Sequence, residues 1–145
     1  MGKPPMMVSV ASASPDFLEN ITIGGHELQA DEPLDAGGRN AAPSPYELLL
    51  AALGACKVIT LRMYAKRKGW PLRSIQVNLS HGKVHAEDSV NCLSAGSLID
   101  QIDVEITLHG ELSSEQHGML LAIAEKCPIH RTLTSMVQIR TRAAA

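Results

Sequence analysis

The chain has 145 residues, a length typical of one domain with its own hydrophobic core. Its formal net charge of -2 excludes proteins whose affinity for nucleic acids depends on neutralising phosphates, and an aromatic content of 3% excludes a stacking surface for bases. We therefore expect a single domain over residues 1–145 that binds no nucleic acid.

The cysteines and the apolar runs indicate the compartment. Three cysteines do not form the paired framework of a small secreted domain, and the N-terminal residues lack the apolar core of a signal peptide. The longest apolar run, Leu48–Cys56, has nine residues, well short of the ~20 that span a bilayer. These features predict a cytoplasmic protein with no membrane partner.

The first 43 residues are predicted to form strands followed by a loop. Residues 6–12 and 17–30 have the composition of short strands, and Gly24-Gly25 is typical of a two-residue hairpin turn. Residues 31–43 contain two prolines and a glycine pair, which indicates a loop rather than a linker between domains. This loop is long enough to be functional.

A long helix is predicted over residues 44–68. Ser44 suits the N-cap, Pro45 the first helical position, and Glu47 the third position of a capping box. Gly69 suits the left-handed residue that follows a helix. The first half of this helix is apolar on all sides, so it must be enclosed on every side, which one small domain can hardly do alone.

Two strands are predicted after the long helix. Residues 75–85 and residues 102–108 alternate apolar and polar side chains, as strands with one buried face do. The segment between them, residues 87–97, is rich in Ser and Asn and is predicted to be an exposed loop.

A second helix and a final strand are predicted for the C-terminal part of the chain. Ser113 or Ser114 can cap this helix, which Pro128 stops. A short turn from Pro128 then precedes a last strand at residues 136–141. The elements are grouped along the chain rather than alternating as βαβ units, so the predicted class is α+β.

The three cysteines lie in different surroundings. Cys56 is in the middle of the long helix, where a buried thiol acting as a small apolar side chain is the simplest interpretation. Cys127 precedes Pro128 at the start of a new turn, whose free N–H groups and nearby His130 could lower its pKa. Local chemistry therefore favours Cys127 as the more reactive thiol. Cys92 lies in the predicted loop and is interpreted as an incidental exposed thiol.

Two other groups of side chains are candidates for binding. His81, His85 and His109 could converge on neighbouring strands, but their spacing fits no standard zinc pattern, so we expect neither a metal nor a cofactor. The basic residues of the long helix and the segment after it are interpreted as a solvated helix end. These are Lys57, Arg62, Lys66, Arg67, Lys68 and Arg73.

Two motifs carry a resemblance to a known family. The first is GGRNAAPSPYELLLAALGACKVITLRMYAKRKGWPL, a Pro-Ser-Pro helix start with a cysteine midway along the helix. The second, AEKCPIHRTL, places Cys127 71 residues after Cys56. From about His26 to Arg142, the chain resembles the OsmC/Ohr family of thiol-dependent peroxide reductases, specifically its OsmC-like branch. The resemblance implies strands around a long central helix and an intertwined homodimer, in which two apolar helices bury each other.

The resemblance also implies a role for each thiol, and it reverses the ranking from local chemistry. Cys56 corresponds to the nucleophile that attacks peroxide oxygen, and Cys127 to the thiol that resolves the product as a disulfide. The implied partners are a peroxide substrate and an external dithiol reductant.

The resemblance implies two further site residues, Arg39 and Glu47, at positions that differ from the family pattern. Reductases of this family use an Arg from the N-terminal strands; residues 1–38 contain none, so Arg39 is the candidate here. Their Glu follows the helix-opening Pro, where this chain has Tyr46, with Glu47 one position later and about 100° around the helix. Glu47 is therefore either a catalytic residue or only the capping-box residue.

The leading functional hypothesis is a cysteine-dependent peroxidase acting on organic hydroperoxides or hydrogen peroxide in a stress response. The alternative is a binding or sensor protein of low turnover that holds a hydrophobic small molecule in the dimer cleft. A purely structural dimeric domain is the weakest hypothesis, because it leaves two thiols in matching motifs without a use.

Overall fold

A computed structural model of the chain describes residues 5–85 and 97–144. The chain divides into two compact units, residues 1–49 and residues 50–145, which are described separately below. Strands and helices are grouped along the chain, which confirms the predicted α+β class. The prediction of one domain over residues 1–145 stays a prediction.

The first unit contains a three-stranded antiparallel sheet. Its strands are β1 (Val8–Ser12), β2 (Glu19–Ile23) and β3 (His26–Ala30), paired in chain order. The β2–β3 hairpin turns at Gly24-Gly25, where Gly24 has a φ of 56° that a glycine adopts without strain. The predicted N-terminal strands and their turn are confirmed.

The loop after β3 is organised by one buried carboxylate. Asp31 is 2% exposed, and its two oxygens accept hydrogen bonds from the backbone N–H groups of Glu32, Arg39 and Ala41. These bonds, the one to Ala41 first, lower the pKa of Asp31. A side chain on Gly38 would collide with the Glu32 carbonyl oxygen, so this position requires glycine. The predicted loop is therefore a fixed structure.

Helix α1 (Pro45–Lys68) is the longest helix that the structure describes and confirms the predicted bounds. The N–H of Ser44 donates to Glu47 Oε1 at 3.1 Å, and the N–H of Glu47 donates to Ser44 Oγ at 3.3 Å, which completes the capping box. Gly69 has a φ of 69° at the other end. Buried side chains at four-residue spacing form one stripe: Leu53, Lys57, Leu61 and Ala65.

Helix α1 is also long and apolar enough to cross a membrane, judged by length and composition. Core helices of soluble proteins have the same length and composition, so these two properties alone do not identify a membrane-spanning helix. Only 28% of its most apolar window is buried within this chain. The expectation that the apolar half is enclosed on every side is therefore not met by a single chain, because much of that surface has nothing packed on it.

The second unit has a two-stranded antiparallel sheet of long strands. They are β4 (Leu72–His85) and β5 (Leu98–Gly110), with Val77 opposite Ile106. Both predicted strands are confirmed and are longer than predicted. The predicted loop at 87–97 lies outside the described residues except for Ser97. The core of this unit combines residues of α1, β4 and the next helix: Leu61, Ala65, Leu72, Leu120 and Ala124.

Two helices complete the second unit. Helix α2 (Ser114–Ala124) is capped by Ser113, whose Oγ accepts from the N–H of Gln116, as predicted from the sequence. Helix α3 (Pro128–Leu133) follows after a short connection. Pro128 therefore opens a helix rather than stopping one, because its fixed φ suits the first helical position.

The predicted strand at residues 136–141 is wrong. These residues have no regular structure, and Met136 and Ile139 are 99% and 84% exposed. A strand needs a neighbour to receive its backbone hydrogen bonds, and within residues 5–85 and 97–144 no strand pairs with this segment. The apolar residues at 136–141 are therefore not enough to form a strand without a pairing partner.

Candidate active site

Cys127 occupies the N-cap of helix α3. Its side chain is fully buried, and its Sγ accepts a hydrogen bond from the backbone N–H of His130 at 3.4 Å. Pro128 takes the first helical position, so the sequence Cys-Pro-x-His builds a helix start around the thiol. The sequence predicts the start of a turn at this cysteine, and the structure has the start of a short helix there.

The structure brings Cys56 and Cys127 together. Cys56 lies midway along α1, is half-buried, and is near enough to Cys127 to raise the pKa of that thiol. Both thiols are free. Cys92, interpreted above as incidental, lies outside the described residues. Two cysteines that are 71 positions apart in the sequence therefore form one pair of interacting thiols.

The ionisation of Cys127 differs from the expectation. Burial, which disfavours a charged thiolate, raises the pKa of Cys127 above its ordinary value, and the neighbouring Cys56 thiol also raises it. The His130 N–H and the positive charge of Lys57 act in the opposite direction. The helix start alone was expected to give a lowered pKa; that expectation is wrong because burial has the larger effect.

Lys57 is the residue of this site that the sequence analysis missed. It is 1% exposed, and its Nζ donates to the Ala124 carbonyl oxygen at 2.7 Å and to His130 Nδ1 at 2.9 Å. Its assignment to a solvated helix end is therefore wrong, although Lys66 and Lys68 are exposed as expected. The missed signal is spacing, since Lys57 is four residues from the apolar residues on either side of it in the buried stripe.

His130 connects Lys57 to the surface. Its Nδ1 accepts from Lys57, so in the neutral ring the proton lies on Nε2, which is 3.5 Å from Glu125 Oε2. The Glu125 side chain is 70% exposed. A chain of polar contacts thus runs from a buried ammonium near Cys127, through the imidazole, to a carboxylate in solvent.

Arg39 lies in the first unit. Its Nε is 3.4 Å from Asp16 Oδ2, and both side chains are more than half exposed. Its backbone is fixed by the bond from its N–H to Asp31. A pair this exposed contributes little to stability, so the Arg39 side chain is weakly held. Its role toward the cysteines stays a prediction.

Glu47 takes part in the capping box that opens α1. Its carboxylate accepts from the Ser44 backbone N–H, and this hydrogen bond, followed by the one with the Ser44 side chain, lowers the pKa of Glu47. The sequence left Glu47 as either a catalytic residue or a capping residue, and its hydrogen bonds in the structure are those of a capping residue. The catalytic interpretation stays a prediction.

A small cavity borders His130 within the second unit. Its volume is about 200 Å³, and it is lined by Leu53, Asp100, Ile102, Val104, His130, Leu133 and Thr134. Most of the lining is apolar. The pKa of Asp100 is lowered by its hydrogen bonds with His81 and then Lys83, which keeps one polar wall ionised. Within residues 5–85 and 97–144, no cluster of three His, Cys, Asp or Glu residues could hold a metal ion.

Solved structures with similar folds come from several bacteria. A protein of Psychrobacter arcticus described as osmotic stress induced and acting in a detoxification response is 17% identical, with a TM-score of 0.71 and 90% of each chain covered. An OsmC-like protein of Mycoplasma pneumoniae is 18% identical, with a TM-score of 0.69 over 92% of this chain and 89% of its own. An organic hydroperoxide resistance protein OsmC of Legionella pneumophila is 17% identical, with a TM-score of 0.66 over 92% of both chains.

These TM-scores establish the shared fold. A comparison with curated proteins finds no match. The family assignment depends on a separate finding. The family model described as OsmC-like protein matches residues 37–142, which is most of the 145 residues and contains both cysteine motifs. The chain therefore belongs to the OsmC-like family.

Proposed function

We propose that this OsmC-like protein is a cysteine-dependent hydroperoxide reductase in which Cys56 is the nucleophile and Cys127 the resolving thiol. The observation that carries the proposal is the proximity of these two free thiols, one on α1 and one at the start of α3, where Cys56 raises the pKa of Cys127. A disulfide forms only between cysteines that are already close. The name of the Legionella pneumophila neighbour, an organic hydroperoxide resistance protein, agrees with this chemistry.

The proposed reaction has three steps. The Cys56 thiolate attacks one peroxide oxygen, the O–O bond breaks, and the leaving alkoxide takes a proton to become an alcohol, which leaves Cys56 as a sulfenic acid. The Cys127 thiolate attacks the Cys56 sulfur, and hydroxide leaves with the proton that Cys127 released, as water. An external dithiol then reduces the disulfide by two thiol exchanges and is itself oxidised.

The different exposure of the two thiols supports the proposed division of roles. Cys56 is half-buried, whereas Cys127 is fully buried and has a raised pKa. A peroxide molecule arriving from solvent therefore meets Cys56 first, and Cys127 is the thiol that remains protonated until a sulfenic acid forms beside it. The cavity next to His130 is mostly apolar, which favours an organic hydroperoxide over hydrogen peroxide.

The site is proposed to be completed in a homodimer. The side of α1 that carries Cys56 also carries Ala52, Ile59 and Met63, at the alternating four- and three-residue spacing by which two helices pack together. Ile59 and Met63 are 58% and 66% exposed in the single chain. An apolar helix face of this kind is stable in water when a second copy covers it.

The test is peroxide consumption with a dithiol as reductant, comparing an organic hydroperoxide with hydrogen peroxide. We expect turnover with both and a higher kcat/KM for the organic substrate. Mass spectrometry of protein oxidised with one equivalent of peroxide and then digested without reductant should recover a disulfide joining Cys56 and Cys127. If the pair remains reduced and peroxide is not consumed, the binding or sensor alternative replaces this proposal.

A further inference from the structure

In the part of the chain that the structure describes, Lys57 is a buried cation without a carboxylate partner. Within residues 5–85 and 97–144, no Asp or Glu oxygen lies within salt-bridge distance of its ammonium group. Its hydrogen bonds go to a neutral carbonyl oxygen and to an imidazole nitrogen. Burying an ammonium group in this way is unfavourable unless an anion is nearby at some stage of function.

The residues that hold Lys57 are the same residues that surround Cys127. His130 donates its backbone N–H to Cys127 Sγ and accepts the Lys57 ammonium at its ring Nδ1. The second acceptor, the Ala124 carbonyl oxygen, lies at the end of α2, three residues before Cys127. Segment 124–130 therefore fixes both the thiol and the ammonium group.

We propose that Lys57 is the cation that stabilises the Cys127 thiolate, and that His130 and Glu125 are positioning residues that hold its ammonium group in place. Lys57 and Cys56 are neighbours in the sequence, but successive helix positions point about 100° apart. The exposed side of α1 carries the nucleophile, and the buried stripe carries the cation that serves the resolving thiol.

In the proposed reaction, the Lys57 ammonium stabilises Cys127 at the steps in which this sulfur is negatively charged. This part of the inference rests on the proposed function. Cys127 releases its proton when it attacks the Cys56 sulfenic acid, and the sulfur is then paired with the ammonium group. When an external dithiol reduces the disulfide, the better stabilised thiolate leaves. The dithiol therefore attacks Cys56, which is also the more exposed sulfur, and Cys127 leaves.

The effect of Lys57 on the pKa of Cys127 supports its assignment as the stabilising cation. Burial raises the pKa of Cys127, and the charge of Lys57 lowers it. The groups that face the ammonium are the Cys127 thiol and His130, with Glu125 behind the imidazole. Removing the ammonium leaves burial unopposed by a charge, so the pKa of Cys127 must rise further.

The first test uses a protein with Cys127 as its single thiol, made by Cys56→Ser and Cys92→Ser. Thiolate absorbance against pH gives the pKa of Cys127, and alkylation by iodoacetamide gives its reactivity. Adding Lys57→Met should raise this pKa by about one unit and lower alkylation about tenfold at a pH below it. Lys66→Met, the same change at an exposed position of α1, should alter neither.

Stability and rescue separate this role from a structural one. Lys57→Met places an apolar side chain of similar length in a buried site, so thermal stability should be retained or increased while the thiolate is lost. Lys57→Arg should recover part of the reactivity by restoring the charge. If Lys57→Met does not fold, His130→Gln serves instead, since loss of the Nδ1 acceptor should raise the same pKa by a smaller amount.

An unchanged Cys127 pKa in folded Lys57→Met or His130→Gln overturns the inference. This measurement requires no peroxide turnover. A protein that fails to reduce peroxides but shows the expected shift retains the Lys57 assignment and loses the proposed function. The reverse result retains the peroxidase proposal and removes Lys57 from it.

Discussion

Two faces of helix α1 contrast in an unusual way. The buried stripe of Leu53, Lys57, Leu61 and Ala65 contains a cation, whereas the exposed face contains apolar residues such as Ile59 and Met63. An ordinary surface helix has apolar residues inside and charges outside, and α1 departs from this pattern at Lys57 and at the two exposed apolar residues. Each exception needs a reason: we propose a thiolate as the reason for the buried cation, and a second copy of the chain as the reason for the exposed apolar residues.

The largest expected effect is on turnover. Cys56→Ser should abolish peroxide reduction, because no thiolate remains to attack the O–O bond. Cys127→Ser should consume about one equivalent of peroxide per chain and stop as a sulfenic acid on Cys56. Intact-protein mass spectrometry after peroxide titration measures both. Cys92→Ser is the control and should behave as wild type.

One outcome would reverse this assignment. If Cys56→Ser protein accumulates a sulfenic acid on Cys127, the nucleophile is the thiol at the helix start, as local chemistry first indicated. The raised pKa of Cys127 argues against that result, since a protonated thiol is a poor nucleophile.

The next largest effect concerns the exposed face. Ile59→Asp should convert the proposed dimer into monomers or unfolded chains, because both copies bring a charge into the same interface. Light scattering at micromolar concentration measures the change. Lys68→Asp, which places the same charge at the exposed end of the helix, should leave the size unchanged. A wild-type protein of 15.5 kDa in this measurement contradicts the dimer outright.

The buried stripe should respond differently. Leu61 is fully buried in the core of its own unit, so Leu61→Ala should lower the free energy of unfolding by about 2–5 kcal/mol. Met63→Ala, two positions away on the exposed face, should destabilise only as far as it weakens dimerisation. Urea unfolding at two protein concentrations distinguishes them: the Met63→Ala loss should depend on concentration, whereas the Leu61→Ala loss should not.

Much of the fold could be predicted because its signals are local. Ser44, Pro45 and Glu47 mark the start of α1, and Ser113 marks the start of α2, through side chain to backbone hydrogen bonds that depend only on nearby residues. The strand predicted at 136–141 failed because strand formation depends on a pairing partner, which no local pattern supplies.

The site was predictable in part for the same reason. The motifs identified Cys56 and Cys127, but the proximity of the two thiols depends on how α1 packs beside α3. Lys57 was misassigned because a lysine is usually exposed. Its four-residue spacing from Leu53 and Leu61 was the contrary signal. The charge of Lys57 favours an exposed position, but its place on α1 puts it in the buried stripe.

The smallest expected effect concerns the start of α1, where Glu47 has two possible roles. Ser44→Ala should cost about 1 kcal/mol of stability, because it removes the acceptor for the Glu47 N–H. Glu47→Gln keeps an oxygen that can accept from the Ser44 N–H but removes the carboxylate charge. Stability should therefore change little in Glu47→Gln, which makes it a selective probe of catalysis.

The stability of the folded protein should depend on pH through the Glu47 carboxylate. Hydrogen bonds from Ser44 hold the pKa of Glu47 below its ordinary value in the folded protein. This contribution to stability is complete above the ordinary glutamate pKa and is lost as pH falls through the lowered one. Glu47→Gln should remove that part of the acid sensitivity, as seen in thermal melts across an acidic pH series. A helix cap alone then predicts normal kcat/KM for Glu47→Gln near neutral pH. A large loss of kcat/KM with unchanged stability would instead assign the carboxylate to the reaction, and Ser44 would be the residue that keeps it ionised.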